Sequence, residues 1–262
     1  MKKLIFIIAV SLTSSFKAQV LTPKASPIAK IQQKVGLADI QIDYSRPSVN
    51  GRVIFGELIP YGQMWRLGAN ENTKITSSEA LIFGKDTLKA GTYALFAKPG
   101  ENNWEFYFYK DYSNWGLPEK WDDSKVALKV SASAQINKNW TENLTLQFDE
   151  LRYSSAKLTL SWAETKVELP FGLDTKSEVL ESIDKTMSGP AANDYHKAAT
   201  YYFNENLDLK QALEWSTKAV ELRGESAYWM TRLKAQLQAA NGDFKGAIDT
   251  AKLSIQAATA DG

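Results

Sequence analysis

A chain of 262 residues with 31 lysines and arginines against 30 aspartates and glutamates carries a formal charge of +1, which lacks the basic footprint that nucleic acid requires. It contains no cysteine and a single histidine, His196, so disulfides, thiolate nucleophiles, cysteine-ligated metals, histidine-rich metal sites and serine triads are excluded. No glycine-rich phosphate loop follows a strand, and neither a metal nor a cofactor is expected.

The first residues, Met1, Lys2 and Lys3, precede an apolar run over 4–12 and a small, polar stretch over 13–18. That order predicts a secretory signal peptide over 1–18, cleaved at or near Ala18. Its loss removes Lys2, Lys3 and Lys17 and takes the charge from +1 to −2. The apolar run is shorter than the about 20 residues a membrane-crossing helix needs, and no later segment comes closer. The expected product is periplasmic or secreted, without a cysteine to carry a lipid anchor. Residues 19–27 read as a linker.

From 28 to 171 the pattern is of short alternating apolar and polar runs closed by turn residues. Ile40, Ile42 and Tyr44 alternate against Gln41 and Asp43, and strands follow over 73–77, 80–83, 92–97, 104–109, 126–134, 144–148, 156–163 and 166–169. Such spacing predicts an antiparallel β-sandwich or a barrel-like sandwich. At Asp174 the period changes to about 3.6. Thr175 and Glu178 have capping-box spacing, Val179, Leu180, Ile183 and Met187 form one stripe, and Gly189 with Pro190 ends that helix. Thereafter Tyr195, Tyr202, Leu209, Ala212, Leu213, Ser216 and Val220 recur 35 positions later as Met230, Leu237, Phe244, Ala247, Ile248, Ala251 and Ile255. Residues 172–262 therefore read as helical hairpins similar to tetratricopeptide repeats. The fold class expected is multi-domain, β then α.

The chemistry concentrates in the irregular stretch 44–73. Arg46, Arg52 and Arg66 offer planar forks to an anionic group, or pair with Glu57 and Glu71 inside the loop. Candidate ligand-binding residues are Arg46, Arg52, Tyr61, Trp65, Arg66, Asn70, Glu71 and, from a later loop, Trp115. Pro47 and four glycines supply the turns. The aromatic run Trp104, Phe106, Tyr107, Phe108 and Tyr109 places rings on both faces of one strand, and Tyr112, Trp115 and Trp121 follow it. Exposed indoles stack on sugars or on partner side chains.

The runs GRVIFGELIPYGQMWRLGANENTKI, LKAGTYALFAKPG and KDYSNWG resemble the bacterial domain of unknown function 2911, over roughly residues 25–171. The resemblance implies an exported β-domain of no established activity, in some members followed by helical repeats. It singles out Arg52, Pro60, Tyr61, Gly62, Trp65, Arg66, Gly68, Ala69, Asn70 and Glu71. This chain departs from the family pattern at Leu67, where threonine is common, and at Asn72, where alanine is; a site needing a hydroxyl between Arg66 and Gly68 is not expected here.

The leading functional expectation is a noncatalytic binding protein for an anionic small molecule, a carbohydrate or a protein partner, using a loop whose guanidinium groups and indole face outward. One alternative is a polysaccharide or peptidoglycan hydrolase pairing Glu71 with Asp111, Asp122 or Asp123. Another is a helical-repeat scaffold.

Overall fold

The computed structural model describes residues 22–187 and 190–261. The expected signal peptide, the first linker residues and Gly189 lie outside the described residues. The chain divides into two compact units, one ending at Leu173 and the other beginning at Asp174.

The first unit holds nine strands among the described residues: β1 (Ile28–Val35), β2 (Ala38–Ser45), β3 (Lys74–Ser77), β4 (Leu81–Phe83), β5 (Asp86–Leu88), β6 (Gly91–Lys98), β7 (Asn103–Tyr109), β8 (Val126–Asp149) and β9 (Ser155–Gly172). They pair antiparallel throughout, in the order β1-β2-β3-β6-β7-β8-β9-β4-β5. The 24-residue β8 is the hinge of the arrangement. Its first part pairs with β7 (Tyr109↔Val126 to Asn103↔Ser133) and the remainder with β9 (Ala134↔Val167 to Asp149↔Lys157).

Alternation dictates what each strand buries. On β7, Trp104, Phe106 and Phe108 enter the main core with Ile40, Ile42, Leu95, Leu146, Leu160 and Trp162. The odd-numbered partners Tyr107 and Tyr109 face the other way and meet Ala94, Phe96, Met64 and Trp121 in a second, smaller cluster. Trp121 caps that outer face: its ring centroid lies 4.7 Å from Tyr109 and 5.6 Å from Phe96. The rings of the aromatic strand thus do occupy both faces.

Several strands run longer than their sequence suggests. The stretch between Ile136 and Thr145, rich in asparagine, looks like a turn but is a pair of register shifts inside one strand. Likewise 156–163 and 166–169 belong to a single β9, bent where Ala163 adopts φ +52°. β1 and β5 complete the sheet beyond the strands expected.

The second unit contains α1 (Thr175–Thr186), α2 (Ala192–Asn204), α3 (Leu209–Arg223), α4 (Tyr228–Ala240) and α5 (Phe244–Asp261). Asp174, not Thr175, occupies the first N-cap, with Ser177 donating to its carboxylate at 2.8 Å. The capping box expected from Thr175 and Glu178 does not form; Thr175 is buried instead. α2–α3 and α4–α5 form two hairpins. Ala212 and Ala247 lie buried at equivalent positions, and Met230 and Leu237 are buried where their counterparts Tyr195 and Tyr202 are half-buried. The equivalence fails at the far side: Val220 is buried whereas Ile255, 35 residues on, is 65% exposed, as are Phe244 and Ile248 to similar degrees.

Candidate functional site

The irregular stretch is an interruption in one strand position. Thr73 extends β3 by accepting from Leu95 N–H at 2.8 Å. Farther along the same flank of β6, Trp65 exchanges two backbone bonds with Ala97, at 2.7 and 2.8 Å. The chain leaves the ladder at Trp65 and re-enters at Thr73, so residues 66–72 form an excursion from the sheet. Its neck is closed by Thr73 N–H to Arg66 O at 3.5 Å and by Thr73 Oγ1 to Leu67 O at 2.8 Å.

This excursion is tightly built. A Cβ on Gly68 would stand 3.1 Å from Ser45 O and 3.2 Å from Thr73 Oγ1, so a side chain there would push the turn a few tenths of an ångström away from β2. Asn70 adopts φ +59°, tolerable for a short polar side chain. Leu67 at φ +55° is a different matter, because a branched side chain there costs about 1–2 kcal/mol. Its full burial in the main core, at roughly 1.5–3 kcal/mol, offsets that strain. The position between Arg66 and Gly68 therefore serves packing and carries no polar group.

The expected site residues separate into distinct roles. Trp65 is 5% exposed and stacks on Trp162 at 5.8 Å with planes 17° apart; its indole N–H donates to Gly68 O at 3.1 Å. The expectation of an outward indole is corrected here: strand alternation puts Trp65 inside and Met64 and Arg66 outside. Arg46 reaches across to β8, donating from Nε to Leu144 O at 2.9 Å and from Nη2 to Thr145 Oγ1 at 2.7 Å. Arg52 folds back on the carbonyls of Val49 and Ser48. Asn70 donates to Ser26 O at 3.4 Å. Tyr61, 43% exposed, lies over Gly56, whose hypothetical Cβ would be 3.0 Å from the ring.

Arg66 is the exception. Half-buried, Arg66 donates one bond, from Nη1 to Asn70 O at 3.1 Å, leaving most of its five donors without an acceptor among the described residues. Among the described residues no salt bridge involves Arg46, Arg52 or Arg66; every ion pair uses a lysine. The internal pairing of these arginines with Glu57 and Glu71 is thus not what the loop does. Gly116, at φ +81°, passes so near that a Cβ on it would stand 2.6 Å from Arg66 Nη1. The loop after β7 is brought against the excursion at this point, with the 67% exposed Trp115 as the residue before the contact.

The acids are dispersed. Glu71 pairs at 3.9 Å with Lys74. Asp111 accepts from Ser113 and Lys125, which hold its carboxyl below the ordinary value. Asp122 accepts from the hydroxyl and backbone of Ser124, with the same effect on its carboxyl. Asp123 accepts from the Trp121 indole at 2.9 Å. Each carboxylate serves a local contact, and none is joined to Glu71.

A hollow of about 40 Å³ adjoins the excursion, lined by Ile28, Asp43, Tyr44, Ser45, Glu71, Asn72 and Lys74. A shallower hollow of about 430 Å³ lies elsewhere on the unit, beside Ile82, Arg152, Lys157 and Phe171, and includes none of the expected residues. Asn72, not expected as a site residue, is the one the sequence concealed: nothing local distinguishes it from an exposed turn asparagine.

The family described as protein of unknown function DUF2911 matches residues 26–171. The chain belongs to the DUF2911 family. That match spans all nine strands apart from the last residue of β9, and it ends before the helical unit begins. No curated protein and no solved structure matches the chain. Within this DUF2911 protein the excursion and the Trp115–Gly116 loop, distant in sequence, therefore form one polar locality on a rigid sheet.

Proposed function

We propose that this protein is an exported, noncatalytic binding protein whose β-unit takes a carboxylate-bearing ligand, an acidic sugar being the chemistry that fits best, at Arg66 beside Trp115. The observation that carries this reading is the half-buried Arg66 on its excursion, with one carbonyl bond and no carboxylate partner among the described residues. A planar fork in that condition is suited to bidentate capture of a carboxylate, and an exposed indole offers a face for a sugar ring. Export is supported by the lysine pair, apolar run and small polar segment at residues 1–18.

Isothermal titration of the purified protein with galacturonate oligomers, and with neutral galactose oligomers as control, tests the reading. Acidic oligomers are expected to bind, and Arg66→Met and Trp115→Ala each to weaken binding at least about tenfold, about 1.4 kcal/mol. Absence of binding to acidic oligomers, or binding unchanged in Arg66→Met, removes the proposal.

A second reading, a helical scaffold for a protein partner, is favoured by one feature: Phe244, Ile248 and Ile255 line an exposed stripe on α5. Capture of a partner by the intact protein, lost in Ile255→Asp with galacturonate binding retained, would support it.

A further inference from the structure

Trp65 and Ala97 form an antiparallel pair whose side chains both enter the main core. The residues flanking them therefore face outward together, Met64 beside Lys98 and Arg66 beside Phe96. Phe96 and Met64 belong to the outer cluster under Trp121, which agrees with that orientation. The four make a quadrilateral on the outer face of the sheet, with Arg66 and Lys98 at one pair of opposite corners and the apolar Met64 and Phe96 at the other. We propose that Lys98 is the second cationic arm of the Arg66 site, so that the ligand selected there carries two carboxylates, an acidic disaccharide or longer rather than a single uronic acid. This rests on the reading of Arg66 as a carboxylate anchor.

Spacing and charge both bear on this. Diagonal neighbours across an antiparallel pair stand about 7–8 Å apart, and both side chains are long, so one ligand lying across Met64 is within reach of each. Lys98, half-buried, ends β6. The acid opposite it in register is Glu105 on β7, whose carboxylate is committed to Lys129 and to the Tyr107 hydroxyl. No salt bridge among the described residues includes Lys98, and Glu101, in the turn that follows, enters none either. The sheet thus roots two cations within the screening length of about 10 Å at 0.1 M salt and gives neither a carboxylate. A monocarboxylate answers one of them, whereas a dicarboxylate answers both and covers the apolar ground between. The planar fork of Arg66 fixes one carboxylate by orientation, while the Lys98 ammonium meets the other as a point charge on a flexible stem.

The test is isothermal titration of the full-length protein with galacturonic acid and with digalacturonate at one pH and salt concentration. The parent is expected to bind digalacturonate at least about tenfold more tightly than galacturonic acid. Lys98→Gln should lose most of that preference and Lys98→Arg should keep it, with melting temperatures confirming that both variants are folded. Equal affinity of the parent for the two acids, a comparison that needs no variant, would overturn the inference and leave the Arg66 reading standing. Full preference retained in Lys98→Gln would do the same. Binding of neither acid would remove the Arg66 reading and this inference with it.

Discussion

The indole of Trp65 lies nearly parallel to that of Trp162, 5.8 Å away, while Phe55 and Trp104 meet Trp65 edge-on at 5.9 and 6.2 Å. The loop is thus nailed to the inside of the sandwich immediately before its polar excursion begins. Trp65→Ala should destabilise the β-unit by about 3–5 kcal/mol, as removal of a buried aromatic does. Near-ultraviolet circular dichroism during urea titration would register the loss.

Arg46 and Arg66 should differ sharply when truncated. Arg46→Met removes two bonds to β8, one to Leu144 O and one to Thr145 Oγ1, at about 1–3 kcal/mol in all. Arg66→Met removes one carbonyl bond from a half-exposed group, at about 0.5–1.5 kcal/mol. Chemical denaturation of the two variants in parallel gives the order; equal losses would make Arg66 a brace like Arg46.

Glu105 sits under Lys129 and accepts from the Tyr107 hydroxyl, and these bonds hold its carboxyl below the ordinary value against the opposing effect of burial. A depressed folded-state carboxylate stabilises above its unfolded value and loses that contribution as pH falls through the folded one. Glu105→Gln should therefore lower stability at neutral pH and flatten the acid limb below about pH 4.3, so that the variant and the parent converge as pH falls. Melting temperatures of both proteins across the acid range would show it.

His196 on α2 is pushed below its ordinary value by burial and then by the nearby Arg232 charge on α4. Its Nδ1 is buried without a protein partner among the described residues. The unfolded chain binds the proton first, so stability of the helical unit is full above about pH 6.5 and declines as pH falls below it. As the chain has one histidine, its imidazole carbon-proton resonances are unique and their titration midpoint can be read directly. A midpoint at or above the free value would contradict the arrangement.

The inner and outer faces of the α4–α5 hairpin should respond unequally to truncation. Leu237→Ala, in the interior, is expected to cost about 2–5 kcal/mol. Ile255→Ser, on the open face of α5, should fall within about 0.5 kcal/mol of the parent. Helical circular dichroism against temperature measures both.

Much of this architecture was legible from periodicity. Ile40, Ile42 and Tyr44 announced an inward face, and the change at Asp174 marked where β gives way to α. The long strands were not, because Asn137, Asn139 and Asn143 carry local turn preferences that pairing with β9 and with Ser48 overrides. At the site, residue types pointed to the correct stretch but not to orientation. Whether an arginine faces a carbonyl or open space depends on which strand lies beside it, as Arg46 on β8 and Arg66 under Gly116 show. Asn72 was invisible because its burial arises from the excursion folding back on β2, a contact between segments nearly thirty residues apart.

One backbone, β8, is laced first into the partners on one side of the sandwich and then into those on the other. The two halves cannot peel apart like separate leaves without tearing that single thread. Opening of the β-unit should consequently be all-or-none, with amide protons on both flanks of β8 exchanging through the same rare event.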